Sequence, residues 1–108
     1  MRVKKVKIKH ETWTFKLVSE KTLNKHFGDD WAAAFVEPKN HRAYFCKEDF
    51  SIDIVRHELW HVFFSHTYTD SATLDAAQVE EVSADLFAAQ GKEMWELADF
   101  IYKSLLEE

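Results

Sequence analysis

The sequence predicts an α+β fold: a small antiparallel sheet in the first half, then three helices in the second. Three observations carry this. Apolar residues in the first half alternate with polar ones, the period of a half-buried strand. In the second half they recur three and four apart, the period of an amphipathic helix. Only two Gly and one Pro occur in 108 residues, which leaves little room for long linkers. No repeat or composition shift divides the chain, so residues 1–108 are read as one domain.

The strands come first. Val6 and Ile8 share one parity, and Trp13, Phe15 and Leu17 share the other. The phase flips around His10 and Glu11, which places a tight turn or bulge there. Ser19 is an N-cap candidate for a short helix through Leu23 and Phe27 to Gly28. Residues 32–36, a Pro38-Lys39-Asn40 turn and residues 41–46 read as a hairpin.

The helices follow. Ser51 can cap a helix through Ile54, Val55, Leu59, Val62 and Phe63. A polar break is expected over residues 65–71. A second helix is expected from Leu74 to Gln90, with Ala77, Glu81, Ala84, Asp85 and Ala88 on one stripe and Gly91 ending it. A third runs from Glu93 to Leu106, with Met94, Leu97, Ala98, Ile101 and Leu105 turned inward.

Bulk composition excludes several classes. Fifteen per cent aromatic and 46% hydrophobic residues are incompatible with a disordered chain. A net charge of −5 argues against nucleic acid as the main partner. The basic run from Arg2 to Lys9 alternates with Val3, Val6 and Ile8, as the solvent face of a strand does. The single cysteine, Cys46, permits no intrachain disulfide and sits in an apolar stretch, as a buried thiol would. Neither a signal peptide nor an apolar run of membrane-spanning length is visible, so a cytoplasmic protein with no membrane partner is expected.

The chemistry is concentrated in His57-Glu58-Leu59-Trp60-His61. Two histidines four apart on a helix share a face, one turn from each other, so both can reach one metal ion. Glu58 is rotated away from the pair and can act as a general base without being a ligand. The expected chemistry is peptide-bond hydrolysis by a zinc-activated water. Random placement at this composition would produce the pattern in roughly three chains of a hundred, so context must decide. The flanking apolar residues Ile54, Val55, Leu59 and Val62 put the motif on a helix for independent reasons. A catalytic zinc also needs a third protein ligand and an open position. Glu81 can supply the ligand, with Asp85, four residues on, orienting a ligating histidine from behind. Glu80, about 100° away around the helix, is read as solvated.

His57-Glu58-Leu59-Trp60-His61 followed by Glu81-Val82-Ser83-Ala84-Asp85 resembles the gluzincin pattern of thermolysin-like peptidases. Glu81 to Ala88 is also similar to the ExxA(N/D)xFA segment of the ImmA/IrrE metallopeptidases of phages and bacteria. The resemblance covers residues 43–88 closely, and the short chain looks like the single-domain minigluzincins. It implies a zincin-type active-site helix, a glutamate helix carrying the third ligand Glu81, and an Asp85 that supports a histidine. It also implies that residues 41–46 form the sheet edge that receives an extended substrate. Trp60 stands where that family often has glycine, and Gln90-Gly91-Lys92 replaces the family's apolar, proline-ended tail.

The expectation is thus a zinc metallopeptidase with one zinc per chain, a protein or peptide substrate, and a monomeric or weakly dimeric state. The alternatives are a zinc-bearing binding module that does not cleave and a metal-free interaction protein whose helix histidines pack or sit at the surface. His66 and Tyr68, just past the motif, could donate to a developing oxyanion or lie in a polar loop. His10, His26 and His41 have no spacing partner and are read as surface residues. The tryptophans are read as core or interface, and the C-terminal helix as packed on the domain.

Overall fold

The computed structural model describes residues 2–27, 33–67 and 74–107. Its order is β1 (Arg2–Ile8), β2 (Glu11–Val18), α1 (Glu20–Phe27), β3 (Ala34–Glu37), β4 (Arg42–Cys46), α2 (Ile52–Thr67) and α3 (Ala76–Leu106), with single 3-10 turns over Pro38–Asn40 and Lys47–Asp49. The α+β class and the strands-then-helices order are as expected. Gly28, Trp31, Tyr68 and most of the expected polar break lie outside the described residues.

The phase flip at His10 is a two-residue hairpin. Ile8 pairs with Glu11, and the two residues between them, Lys9 and His10, have φ of 48° and 75°. Positive φ at both central positions matches the right-handed twist of the flanking strands. The hairpin therefore sets Val6 opposite Trp13 on one face. Ser19 caps α1: its hydroxyl accepts from the Thr22 N–H at 3.2 Å. Ser51 does the same for α2, accepting from the Ile54 N–H at 3.3 Å.

The sheet order is β1-β2-β4-β3. β1 pairs antiparallel with β2, and β3 with β4, but β2 and β4 run parallel. The sheet is therefore mixed, a correction to the all-antiparallel expectation. The cause is the connection through α1 and β3. β3 is laid on the far side of β4, so β4 returns antiparallel to β3 and ends alongside β2. Residues 41–46 are corrected likewise: β4 is central, His41 precedes it in the left-handed region (φ 51°), and β3 is the edge.

One face of the sheet carries the core. Ile8, Trp13, Phe15, Leu17, Ala34, Ala43 and Phe45 pack against Val55, Leu59, Val62 and Phe63 of α2 and Leu86, Ala98, Ile101 and Leu105 of α3. The Phe15 and Phe45 rings stack at 6.3 Å across the parallel pair. On the other face, Leu23 of α1 buries Val18 and Cys46, so Cys46 is a buried thiol.

α3 is one helix of 31 residues where two were expected. Gly91 lies inside it, and the inward stripe continues from Val82 and Leu86 to Met94, Ala98, Ile101 and Leu105. A glycine costs a helix interior only about 0.5–1 kcal/mol relative to alanine, which burial of that stripe overrides. Asp75, joined to Gln78 by reciprocal hydrogen bonds of 2.8 and 2.9 Å, starts the helix with a capping box. At the other end the Arg2 guanidinium donates to the carbonyls of Leu105, at 2.9 Å, and Leu106. These belong to the last turn, whose carbonyls have no partner within the helix. The C-terminal half thus packs on the domain. No helix among the described residues is long and apolar enough to cross a membrane.

Candidate metal and catalytic site

α2 sorts its side chains by angle. Val55, Leu59, Val62 and Phe63 point into the core. At 100° per residue, His57 and His61 fall on the opposite, solvent side, and Glu58 lies on a flank between the two. Exposure follows that sorting: the His57 side chain is 69% exposed and Glu58 only 13%.

The two imidazoles meet. His57 Nε2 and His61 Nε2 are 3.3 Å apart, with ring centroids 5.0 Å apart. Two nitrogens each 2.0–2.1 Å from one zinc ion at a tetrahedral angle stand about 3.3–3.4 Å apart. The pair therefore fits a shared ion in spacing and in donor type. Glu58 Oε1 lies 3.9 Å from His57 Nε2, beside the pair.

Burial tunes the group. It raises the Glu58 carboxyl pKa, partly offset by the His57 charge. It lowers the His61 pKa, with His57 acting in the same direction. A neutral imidazole is the form that binds a metal.

The third ligand is not gathered with the pair. Glu81 and Asp85 are both exposed on α3, as are Ala77, Ala84 and Ala88. The small-residue stripe that pointed to a buried Glu81 is thus a solvent-facing side of α3, and the inward stripe runs through Val82 and Leu86. Among the described residues, no group of three or more His, Cys, Asp or Glu is arranged to hold a metal ion. The two histidines fit the ion, and the described arrangement supplies no third protein donor. Glu80 is exposed, as read from the helical phase.

Two features of the surroundings were not foreseen. The first is a cavity on the Glu58 flank, between α2 and β3. No motif marks it, because it arises where two distant segments meet. The second is the pairing pattern of β3. Cys46 N–H donates to Ala33 C=O at 3.0 Å, so every second residue of β3 bonds to β4. Ala34 and Val36 lie in the alternate register and turn their N–H and C=O to the side where no other described strand pairs.

His66 lies in the last turn of α2, not in a loop. Its Nε2 accepts from the indole N–H of buried Trp13 at 2.8 Å, so that nitrogen carries no proton. His41 stacks on His66 at 6.1 Å and pairs through Nδ1 with Glu11 at 3.5 Å. Both histidines thus belong to a cluster at the hairpin end of the sheet. Trp95 is half exposed, with the Arg56 guanidinium 3.6 Å from its ring centroid. No protein-family model, curated protein or solved structure matches the chain.

Proposed function

We propose that this protein is a zinc-dependent peptidase in which His57 and His61 hold the ion and Glu58 is the general base. The observation that carries the reading is the 3.3 Å approach of the two Nε2 atoms, with a largely buried carboxylate on the adjoining flank. Zinc, when bound, supplies Lewis acidity that polarises a carbonyl and makes water acidic at neutral pH. Glu58 takes the proton of the attacking water and returns it to the leaving amine. Burial raises the Glu58 pKa, which makes its carboxylate a stronger base towards that water.

β3 has the features of a substrate-binding edge. It lies beside the Glu58 flank, and its outward amides at Ala34 and Val36 can pair with an extended peptide, giving affinity without demanding a sequence. Glu81 is proposed as the third ligand and Asp85 as its helper from the resemblance of their segment to the gluzincin pattern. Both are exposed, and among the described residues they add no third donor to the histidine pair; the second reading is a zinc-bearing binding module that does not turn over. The substrate expected under the first reading is a protein or peptide, met by a monomer or weak dimer in the cytoplasm, with no nucleic-acid or membrane partner.

The test combines metal content with cleavage of a broad peptide library by wild type and Glu58→Gln. One equivalent of zinc in both proteins, with activity about 10²–10⁴ lower in Glu58→Gln, is the expected result. Equal cleavage by both removes Glu58 as base. Stoichiometric zinc with no cleavage by either favours the binding module. Well under half an equivalent of metal after purification with zinc supplied sinks both. Zinc affinity should fall in Glu81→Gln and hold in Glu80→Gln; the reverse would exclude Glu81 as ligand.

A further inference from the structure

The cavity beside Glu58 is larger than proton transfer requires. It has a volume of about 360 Å3 and is bounded by Ala33 and Ala34 at β3 and by Asp53, Ile54, His57 and Glu58 on α2. That is the small end of the roughly 300–1,000 Å3 range of ligand pockets, a size for one long side chain.

Its walls and its charge differ in kind. Ala33, Ala34 and Ile54 present methyl and methylene groups, so an aliphatic stem can pack there with no polar group left unpaired. Asp53 stands at the mouth with its side chain 89% exposed. Its partner Arg56, 3.6 Å away, is shared with Asp99, also at 3.6 Å. One guanidinium facing two carboxylates leaves that group net negative, and Glu58 adds a further carboxylate at the inner end. Among the described residues the space therefore has a mainly apolar lining, with His57 as its polar wall, and an anionic rim.

We propose that this cavity receives a substrate side chain adjoining the scissile bond, and that Asp53 makes it selective for a long cationic residue, Lys or Arg. The stem would lie along Ala34 and Ile54 while the charged tip stays in water beside Asp53. An acidic residue is repelled at the rim, and a short apolar one leaves the cavity partly filled. The inference rests on the peptidase reading and goes beyond it by naming a substrate class.

Binding tests it without turnover. Zinc-supplied Glu58→Gln is titrated with a positional-scanning library of fluorescent hexapeptides, alongside Glu58→Gln/Asp53→Asn and Glu58→Gln/Asp53→Lys. Asp53 is then the remaining carboxylate among the cavity's described residues. The expected result is a preference for Lys and Arg over Leu at one position, about three- to fivefold in Kd, as for an exposed ion pair. It should weaken at high salt, vanish in Asp53→Asn and turn towards Glu in Asp53→Lys. Ile54→Trp, which fills the cavity, should move the preference at that position to Gly and Ala. Thermal unfolding of each variant verifies the fold. A preference that Asp53 substitutions leave unchanged overturns the inference while the peptidase reading stands. A folded, zinc-loaded protein that binds no peptide at any position overturns both.

Discussion

The two edges of the sheet are built to opposite rules. β1 presents Val3, Lys5 and Lys7 on its solvent face, and turns Lys4 inward, with its ammonium 4.9 Å from the Phe100 ring centroid. Lysines on an edge strand, and an inward charge, are the common protection against pairing with another chain. β3 reads Ala34-Phe35-Val36-Glu37 and carries no lysine. Its outward amides lie beside the Glu58 flank of α2. A short strand is already a poor template for aggregation, so β3 can stay unprotected while the longer β1 cannot. Among the described residues one edge is closed by charge and the other carries no such protection, which is what the proposed substrate edge requires.

The largest expected effect comes from removing the closure. Lys5→Val with Lys7→Val should turn β1 into an apolar, β-prone edge that pairs between molecules. Light scattering should then rise with protein concentration. A double variant that remains monomeric at high concentration would deny the lysines that role.

Next is the open edge. Val36→Pro deletes an outward N–H and leaves the bonds to β4 in place. Peptide binding should weaken by up to about tenfold, the value of one hydrogen bond, with Lys7→Ala as a control that changes nothing. Equal loss in both would mean that β3 has no special part in binding.

The hairpin that joins β1 to β2 supplies a smaller effect. Lys9 and His10 hold positive φ without being glycine or asparagine, a conformation that costs L-residues roughly 1–2 kcal/mol. Lys9→Asn with His10→Gly should recover about 1 kcal/mol, part of the relief being lost to the freer unfolded chain. For a domain of this size that raises Tm by about 4–8 °C. No gain would show that the turn is held without strain.

The smallest effect expected is one of pH. Burial and the His41 charge lower the His66 pKa below its ordinary 6.5, with Lys9 acting in the same direction and Glu11 opposing it. The unfolded chain therefore takes up this proton more readily than the folded one. The stability is present above about pH 6.5 and is lost as the pH falls through the depressed value. Protonation of His66 Nε2 also removes the acceptor of the Trp13 bond. The urea midpoint should drop between pH 7.5 and 5.5, and less so in His66→Gln. An equal drop in both would assign the effect to other groups.

Sequence alone determined what is local. Alternation fixed which faces of β1 and β2 are buried, because successive side chains of a strand point opposite ways. Helical spacing brought His57 and His61 onto one face, with Glu58 beside them. Ser19 and Ser51 were legible as caps because an N-cap bonds only to its own first turn. Tertiary structure decided what depends on distant segments. Gly91 passes through a helix because the stripe from Val82 to Leu105 gains more by burial than one glycine loses. β4 is central, and β2 and β4 are parallel, because β3 fills the outer place. The small-residue side of α3 proved exposed: alanines beside carboxylates read equally well as a buried or a solvated stripe, and only packing against α2 and the sheet distinguishes them. The cavity at Asp53 and the Trp13–His66 bond join residues far apart in the chain, and no spacing rule reaches across such a gap.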